Sequence, residues 1–252
     1  MREMELIDKA CLITGGTKGI GAATAFALAK QGANVALAAR NLDAETKETK
    51  KKIESMGCKC VLITADMSKA ADATRCVDET SKELGGVDVL VHSAGGPVNG
   101  GLFDLTPDDW HRAFDVHVHA IFYLCRAAIP LMKKRKEGAI LLVSSTAGIR
   151  GVRTNVAYQT VKGAIPQLTR ALAFEFANDN IRVNCVAPGV IRTAFHAPMS
   201  AEVKKHNLDN RIPLHREGTP EQVATVVCEM ITNDYVTGET YVVDGGLTMR
   251  IC

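Results

Sequence analysis

Short, nearly continuous apolar runs alternate with amphipathic stretches along this chain, and that alternation leaves few folds open. The runs Ala10–Thr14, Asn34–Ala39, Cys60–Thr64, Val87–His92, Ala139–Val143, Val183–Ala187 and Tyr241–Val243 predict strands. Strands that are apolar at successive positions need cover on both faces, as in a parallel sheet flanked by helices. The stretches between them carry helical signals. Ile20, Ala23, Ala27 and Leu28 share one helix face. A helix is expected from about Asp43 to Met56, before Gly57, and another from about Ala71 to Leu84, before Gly85-Gly86. Thr106-Pro107 and Thr219-Pro220 each open a helix, with a hydroxyl at the N-cap and proline in the first turn. A further helix is expected from about Tyr158 to Asn178, with Pro166 inside it as a place for a bend. Repeated βα units predict an α/β fold, a doubly wound parallel sheet of about seven strands with helices on both faces, in a single domain spanning 1–252. The longest stretch without a period, about Val190 to Gly218, is expected to form a lid.

Composition narrows the function classes. The chain has 252 residues, 46% hydrophobic and 23% charged, which excludes global disorder. A net charge of +2 argues against nucleic acid or a membrane surface as the main partner. There is no apolar run long enough for a transmembrane helix, and Met1 to Asp8 lacks an apolar signal core. A cytoplasmic location is therefore expected. The cysteines at 11, 58, 60, 76, 125, 185, 228 and 252 include no C-x-x-C pair, so reduced, mostly buried thiols are expected.

The first strand runs into Thr14-Gly15-Gly16-Thr17-Lys18-Gly19-Ile20-Gly21 and then a helix. Glycines permit the tight turn and let backbone approach a pyrophosphate, while the helix N-terminus supplies N–H donors and partial positive charge. Tyr158 and Lys162 stand four apart at the start of a helix and project from one face. A cation near a phenol favours the phenolate, so such a tyrosine can exchange a proton with a carbonyl or alcohol oxygen near neutral pH. Ser145 ends the fifth strand, 13 residues before Tyr158. That is the edge of an open α/β sheet where ligands bind.

The T-G-x-x-x-G-x-G turn and the S-x12-Y-x-x-x-K set resemble the short-chain dehydrogenase/reductase family, whose fold is of the Rossmann type. The resemblance runs from Ala10 to about Gly246. It implies that Tyr158 is the general acid/base, that Lys162 lowers its pKa and holds the nicotinamide ribose, and that Ser145 hydrogen-bonds the reacting oxygen. It implies cofactor contacts from Gly15, Thr17, Lys18, Gly19, Ile20 and Gly21. Asp66, with Met67 beside it, looks like the adenine-contacting position. Pro188, Gly189, Ile191 and Thr193 look like the nicotinamide-side P-G-x-x-x-T segment. Val242-Val243-Asp244-Gly245-Gly246 looks like the family's C-terminal ending, near an oligomer interface. A homo-oligomer, with a tetramer favoured, is implied.

Two departures stand out. His92-Ser93-Ala94-Gly95 replaces the family's N-N-A-G, whose contacts are largely through backbone, so Ser93, Ala94 and Gly95 stay in the cofactor set. Counting from Trp110, His117 takes the place of the family's helix asparagine. Histidine donates and accepts, so His117 is expected to hold the same relay water and to add a pH dependence near neutrality. His117 and His119 are two apart and do not face each other on a helix, so no metal site is expected.

Cofactor choice turns on charge. The second strand ends at Ala39-Arg40, without the acidic residue that binds a 2′-hydroxyl, and Lys18 lies inside the glycine turn. The pair Lys18 and Arg40 suits a 2′-phosphate, favouring NADP over NAD. The substrate pocket is expected from Gly96 to Asn99, Arg150 to Asn155 and the segment at Phe195-His196, with His206 and Arg211 in the lid. Arg150 and Arg153 are candidates to clasp an anion, or else solvated. Lys133 to Lys136 reads as a solvated helix end. These features fit an oxidoreductase acting on a small-molecule ketone or secondary alcohol, like a 3-oxoacyl-thioester reductase or a sugar or polyol dehydrogenase. The alternatives are a hydroxysteroid dehydrogenase and a catalytically silent nicotinamide-binding sensor.

Overall fold

The strands β1 (Ala10–Thr14), β2 (Asn34–Ala39), β3 (Cys60–Thr64), β4 (Val89–His92), β5 (Gly138–Val143), β6 (Ile181–Pro188) and β7 (Thr240–Val243) form one parallel sheet in the order β3-β2-β1-β4-β5-β6-β7. The structure is a computed structural model that describes residues 3–195 and 199–249. His196 and Cys252, both singled out from sequence, lie outside the described residues.

Alternation along the strands builds two cores, one on each face. Cys11, Ile13, Val35, Leu37, Val89, Val91 and Leu141 face one side. There they meet the helices α1 (Gly19–Ala29), α2 (Ala44–Glu54) and α8 (Pro220–Thr232), through residues such as Leu28, Ile53 and Val227. Leu12, Ala36, Leu90, Ile140, Leu142 and Val183 face the other. They meet α3 (Ala70–Leu84), α5 (Ala120–Arg135) and α6 (Val156–Phe176), through Val77, Ile121, Leu124 and Ile165. The seven described cysteines are free and buried, as core residues.

Local chemistry sets the element ends. Asp43 caps α2, accepting from the backbone of Thr46. Thr106 and Asp109 form a reciprocal capping box at α4 (Pro107–Phe114), and Thr219 and Gln222 do the same at α8. Gly85 closes α3 at φ 82°, a left-handed conformation that glycine adopts without a Cβ penalty.

Three sequence-based expectations need correction. The stretch 190–218 is not aperiodic: α7 (Ala201–His206) runs into a π-helical turn at Asn207–Arg211. Its apolar positions are too few for a visible period, and Ser200 caps it through Val203 N–H. The helix opened by Thr106 is interrupted by a second π-helical turn, Asp115–His119, before α5 begins. Strand β4 begins at Val89, after Asp88, whose buried carboxylate accepts from Ala10 N–H (2.7 Å) and from Arg135 (3.0 Å).

Candidate active site

Because every strand is parallel, the C-terminal ends of β1, β4, β5 and β6 emerge on one edge. The chain's winding reverses between β1 and β4, which leaves a crevice there. The glycine turn lies in it. Gly15 has φ +66°, and a Cβ built on it would come within 2.9 Å of the Ala94 backbone. A Cβ on Gly21 would lie 2.2 Å from the Gly15 carbonyl oxygen. The turn therefore packs backbone against backbone on both sides. Thr17 is buried, and Lys18 takes the N-cap position of α1 in an extended conformation. No side chain caps α1, and no acidic residue sits in its first turn. Its leading N–H groups are thus left for an anion, which fits a dinucleotide pyrophosphate. Thr193 closes on this helix start, with its Cγ2 3.3 Å from a Cβ built on Gly19. Pro188 ends β6, Gly189 N–H donates to Val243 O (3.0 Å), and Ile191 is buried.

His92 ties these segments together, a role the sequence did not reveal. Its Nε2 lies 3.1 Å from Val116 O, so this nitrogen carries the hydrogen. Its Nδ1 then accepts from Thr14 Oγ1 (2.9 Å), which in turn accepts Ala94 N–H (3.3 Å). The end of β1, the Ser93-Ala94-Gly95 loop and the π-helical turn are joined by one hydrogen-bonded chain. Burial pushes His92 down to about 3, so it is neutral.

His117 projects from that π-helical turn and is 2% exposed. Its Nε2 donates to Gly96 O (3.2 Å), leaving Nδ1 as an acceptor that is buried with no hydrogen-bond partner. Its ring meets Tyr158 edge-on, 5.8 Å between centroids. Burial, then the nearby Lys162 charge, pushes His117 down to about 2. The expected titration near neutrality is thereby corrected: an imidazolium here would be desolvated and beside an ammonium.

Ser145 follows β5 and accepts Ala147 N–H through Oγ (3.1 Å). Its hydroxyl also hydrogen-bonds the Tyr158 side chain. Tyr158 stands in the first turn of α6, and the small apolar cluster of Ala113, Ala157 and Val161 with Trp110 and Phe114 locks that helix against α4. Lys162 is buried one turn on, where Nζ donates to Val143 O (2.8 Å) and lies 5.7 Å from the Tyr158 ring centroid. Burial pushes Lys162 down to about 8. Tyr158 is pushed up to about 12 by burial, with the Ser145 hydrogen bond working in the other direction. The expected lowering of Tyr158 by Lys162 is not seen, because desolvation outweighs an ammonium turned toward a carbonyl.

The residues expected at the adenosine end lie beyond β2 and β3. Burial raises the Asp66 carboxyl, but the hydrogen bonds from Ser68, and then the charge of the exposed Arg40, hold it below the usual range. Asp66 accepts from the Ser68 backbone (3.0 Å) and hydroxyl (2.9 Å), and Met67 is buried. Lys18 is ion-paired with Asp43 at 2.7 Å, a partnership hidden by 24 residues of intervening sequence.

In the segment expected to line the substrate pocket, the Phe195 ring packs 5.9 Å from Tyr158, an apolar wall. Arg150 donates to Thr248 O (3.2 Å), and Arg153 is exposed. Arg211 donates to Asn207, and His206 pairs with Asn210, so both bond to neighbours within the 190–218 stretch. Glu217, 7% exposed, holds Arg192 and Lys204 at 3.3 Å each, tying the end of the 190–218 stretch to its start and to α7. Lys133 pairs with Asp179 at 2.7 Å rather than standing in solvent alone. His119 pairs with Asp115 (2.9 Å), and among the described residues no His, Cys, Asp or Glu cluster could hold a metal. Among them, too, no helix is long and apolar enough to cross a membrane.

Known proteins carry the same pattern. The profile of a family described as enoyl-(acyl carrier protein) reductase matches residues 15–248. The 3-oxoacyl-(acyl-carrier-protein) reductase FabG of Chlamydia muridarum is 34% identical over 96% of this chain and 98% of its own length. A short chain dehydrogenase from Burkholderia cenocepacia, solved in complex with NADP, superposes with a TM-score of 0.91 at 30% identity, over 96% of this chain and 99% of that one. L-Sorbose reductase from Gluconobacter frateurii, solved with NADPH and L-sorbose, gives 0.91 at 28% identity, over 99% of this chain and 100% of that one.

Proposed function

The chain belongs to the short-chain dehydrogenase/reductase family and is an NAD(P)-dependent oxidoreductase; from that premise we propose that it interconverts a ketone and a secondary alcohol through Tyr158. The observation that carries this reading is the meeting of Ser145, Tyr158 and Lys162 at the strand edge beside the glycine turn. When bound, the nicotinamide supplies or takes the hydride at the substrate carbon.

Tyr158 donates its phenolic proton to the carbonyl oxygen in reduction and takes it back in oxidation. A neutral phenol is the form reduction needs, which is consistent with a side chain pushed up by burial. Ser145 Oγ accepts Ala147 N–H, and its hydroxyl, which hydrogen-bonds the Tyr158 side chain, would turn its proton to the reacting oxygen when substrate enters. Lys162 supplies positive charge that favours the phenolate as the proton leaves, and would hold the ribose. His117, neutral and with Nδ1 open, replaces the family's asparagine as the acceptor for a relay water. Gly15, Thr17, Gly19, Ile20 and Gly21 would cradle the pyrophosphate. Asp66 and Met67 would border the adenine, and Ser93, Ala94, Gly95, Pro188, Gly189, Ile191 and Thr193 the nicotinamide half.

NADP is the preferred cofactor in this reading, through Lys18 and Arg40, and the NADP and NADPH complexes of the two solved neighbours support it. The substrate is a 3-oxoacyl thioester or a ketose-like polyol, classes that the names of the reductases above support. We also read the chain as one domain with a lid over about 190–218, working as a cytoplasmic homotetramer. Titration with NADPH and NADH, then a panel of 3-oxoacyl thioesters and ketoses followed by loss of NADPH absorbance, tests the proposal. Tighter NADPH binding and turnover of one panel class are expected. Binding of neither nucleotide overturns the reading.

A further inference from the structure

Lys18 is already engaged by negative charge. Its Nζ lies 2.7 Å from Asp43 Oδ2 and 3.7 Å from Glu45 Oε2. The Asp43 carboxylate is anchored from behind, because Oδ1 accepts the N–H (2.9 Å) and hydroxyl (2.8 Å) of the fully buried Thr46. The lysine is the partner free to swing, with its side chain half exposed. One ammonium therefore faces two carboxylates at the start of α2. A dianionic 2′-phosphate approaching Lys18 meets both of them.

We propose that Asp43 competes with the 2′-phosphate of NADP for Lys18, and so limits how strongly this chain discriminates NADP from NAD. The inference rests on the reading of Lys18 and Arg40 as 2′-phosphate ligands. Binding NADP exchanges one ion pair for another and brings phosphate close to carboxylate. Binding NAD, which has only a 2′-hydroxyl there, leaves the Lys18–Asp43 pair closed.

The substitution Asp43→Asn isolates the charge, since asparagine caps a helix as well as aspartate does. NADPH and NADH dissociation constants would be measured by fluorescence titration for the parent chain, Asp43→Asn and Lys18→Met, at low and high salt, with Tm as a check on folding. For Asp43→Asn, NADPH should bind about three- to tenfold tighter at low salt, as expected for one exposed charge near a phosphate. The gain should shrink as salt screens it, and NADH affinity should not change. Lys18→Met should weaken NADPH.

Unchanged or weaker NADPH binding by Asp43→Asn, with Lys18→Met still costing affinity, overturns the competition and leaves the 2′-phosphate reading standing. A loss of NADH affinity in Asp43→Asn overturns it too, by making the carboxylate a ribose ligand. If Lys18→Met leaves NADPH binding unchanged, the reading of Lys18 fails, and the inference with it.

Discussion

Acid should destabilise this protein through its two buried histidines. His92 and His117 are each 2% exposed, and burial pushes them down to about 3 and about 2, from an ordinary 6.5. Well above pH 6.5 both are neutral whether folded or unfolded, and their protonation contributes nothing. Below pH 6.5 the unfolded chain takes up protons that the folded chain refuses, so stability falls until the folded values are reached. The slope approaches about 1.4 kcal/mol per pH unit for each group once the pH is well below 6.5, which integrates to about 2 kcal/mol each between pH 6.5 and 4.5. Denaturant unfolding at those two pH values measures the loss, and His117→Asn removes one of the two groups. The variant should lose about 2 kcal/mol less than the parent over the interval, whatever its stability at pH 7. An equal loss in both proteins would refute the claim that His117 is held neutral by burial.

Other outcomes follow from single sites. His117→Asn should keep turnover within about 100-fold of the parent, a barrier change below about 3 kcal/mol, and a larger loss in steady-state kcat would give the imidazole a role asparagine cannot fill. Gly15→Ala forces φ +66° on a residue with a Cβ and drives that Cβ to 2.9 Å from the Ala94 backbone. It should cost about 2 kcal/mol or more in unfolding experiments and weaken NADPH at least tenfold, while alanine tolerated at full affinity would contradict the close-packed turn. Thr219→Ala removes half of the α8 capping box and should lower stability by about 1 kcal/mol with kcat unchanged.

Sequence periodicity was enough to locate β1, β2 and β3 to the residue, because each is a continuous apolar run bounded by polar or glycine punctuation. It was weaker at β6, which extends from Ile181 to Pro188, because Arg182 and Asn184 break the run while bonding to carbonyls of α8 and the loop after it. Ser145, Tyr158 and Lys162 were singled out by spacing together with the strand edge, the glycine turn and the family resemblance, and the structure brings them side by side. Their electrostatics were not legible, since burial reverses the direction expected for Tyr158 and silences His117. The Lys18–Asp43 pair and the His92 strut join residues distant in sequence, which no local pattern encodes. The π-helical turn that presents His117 has no sequence signature of its own.

The central claim is that Tyr158 moves the proton while the rest of the site holds the cofactor. Tyr158→Phe removes one oxygen from a half-buried ring and tests this most directly. Measured side by side, kcat should fall at least about 100-fold, as for loss of a general acid, while the NADPH dissociation constant stays within about threefold. Turnover within tenfold of the parent would contradict the account.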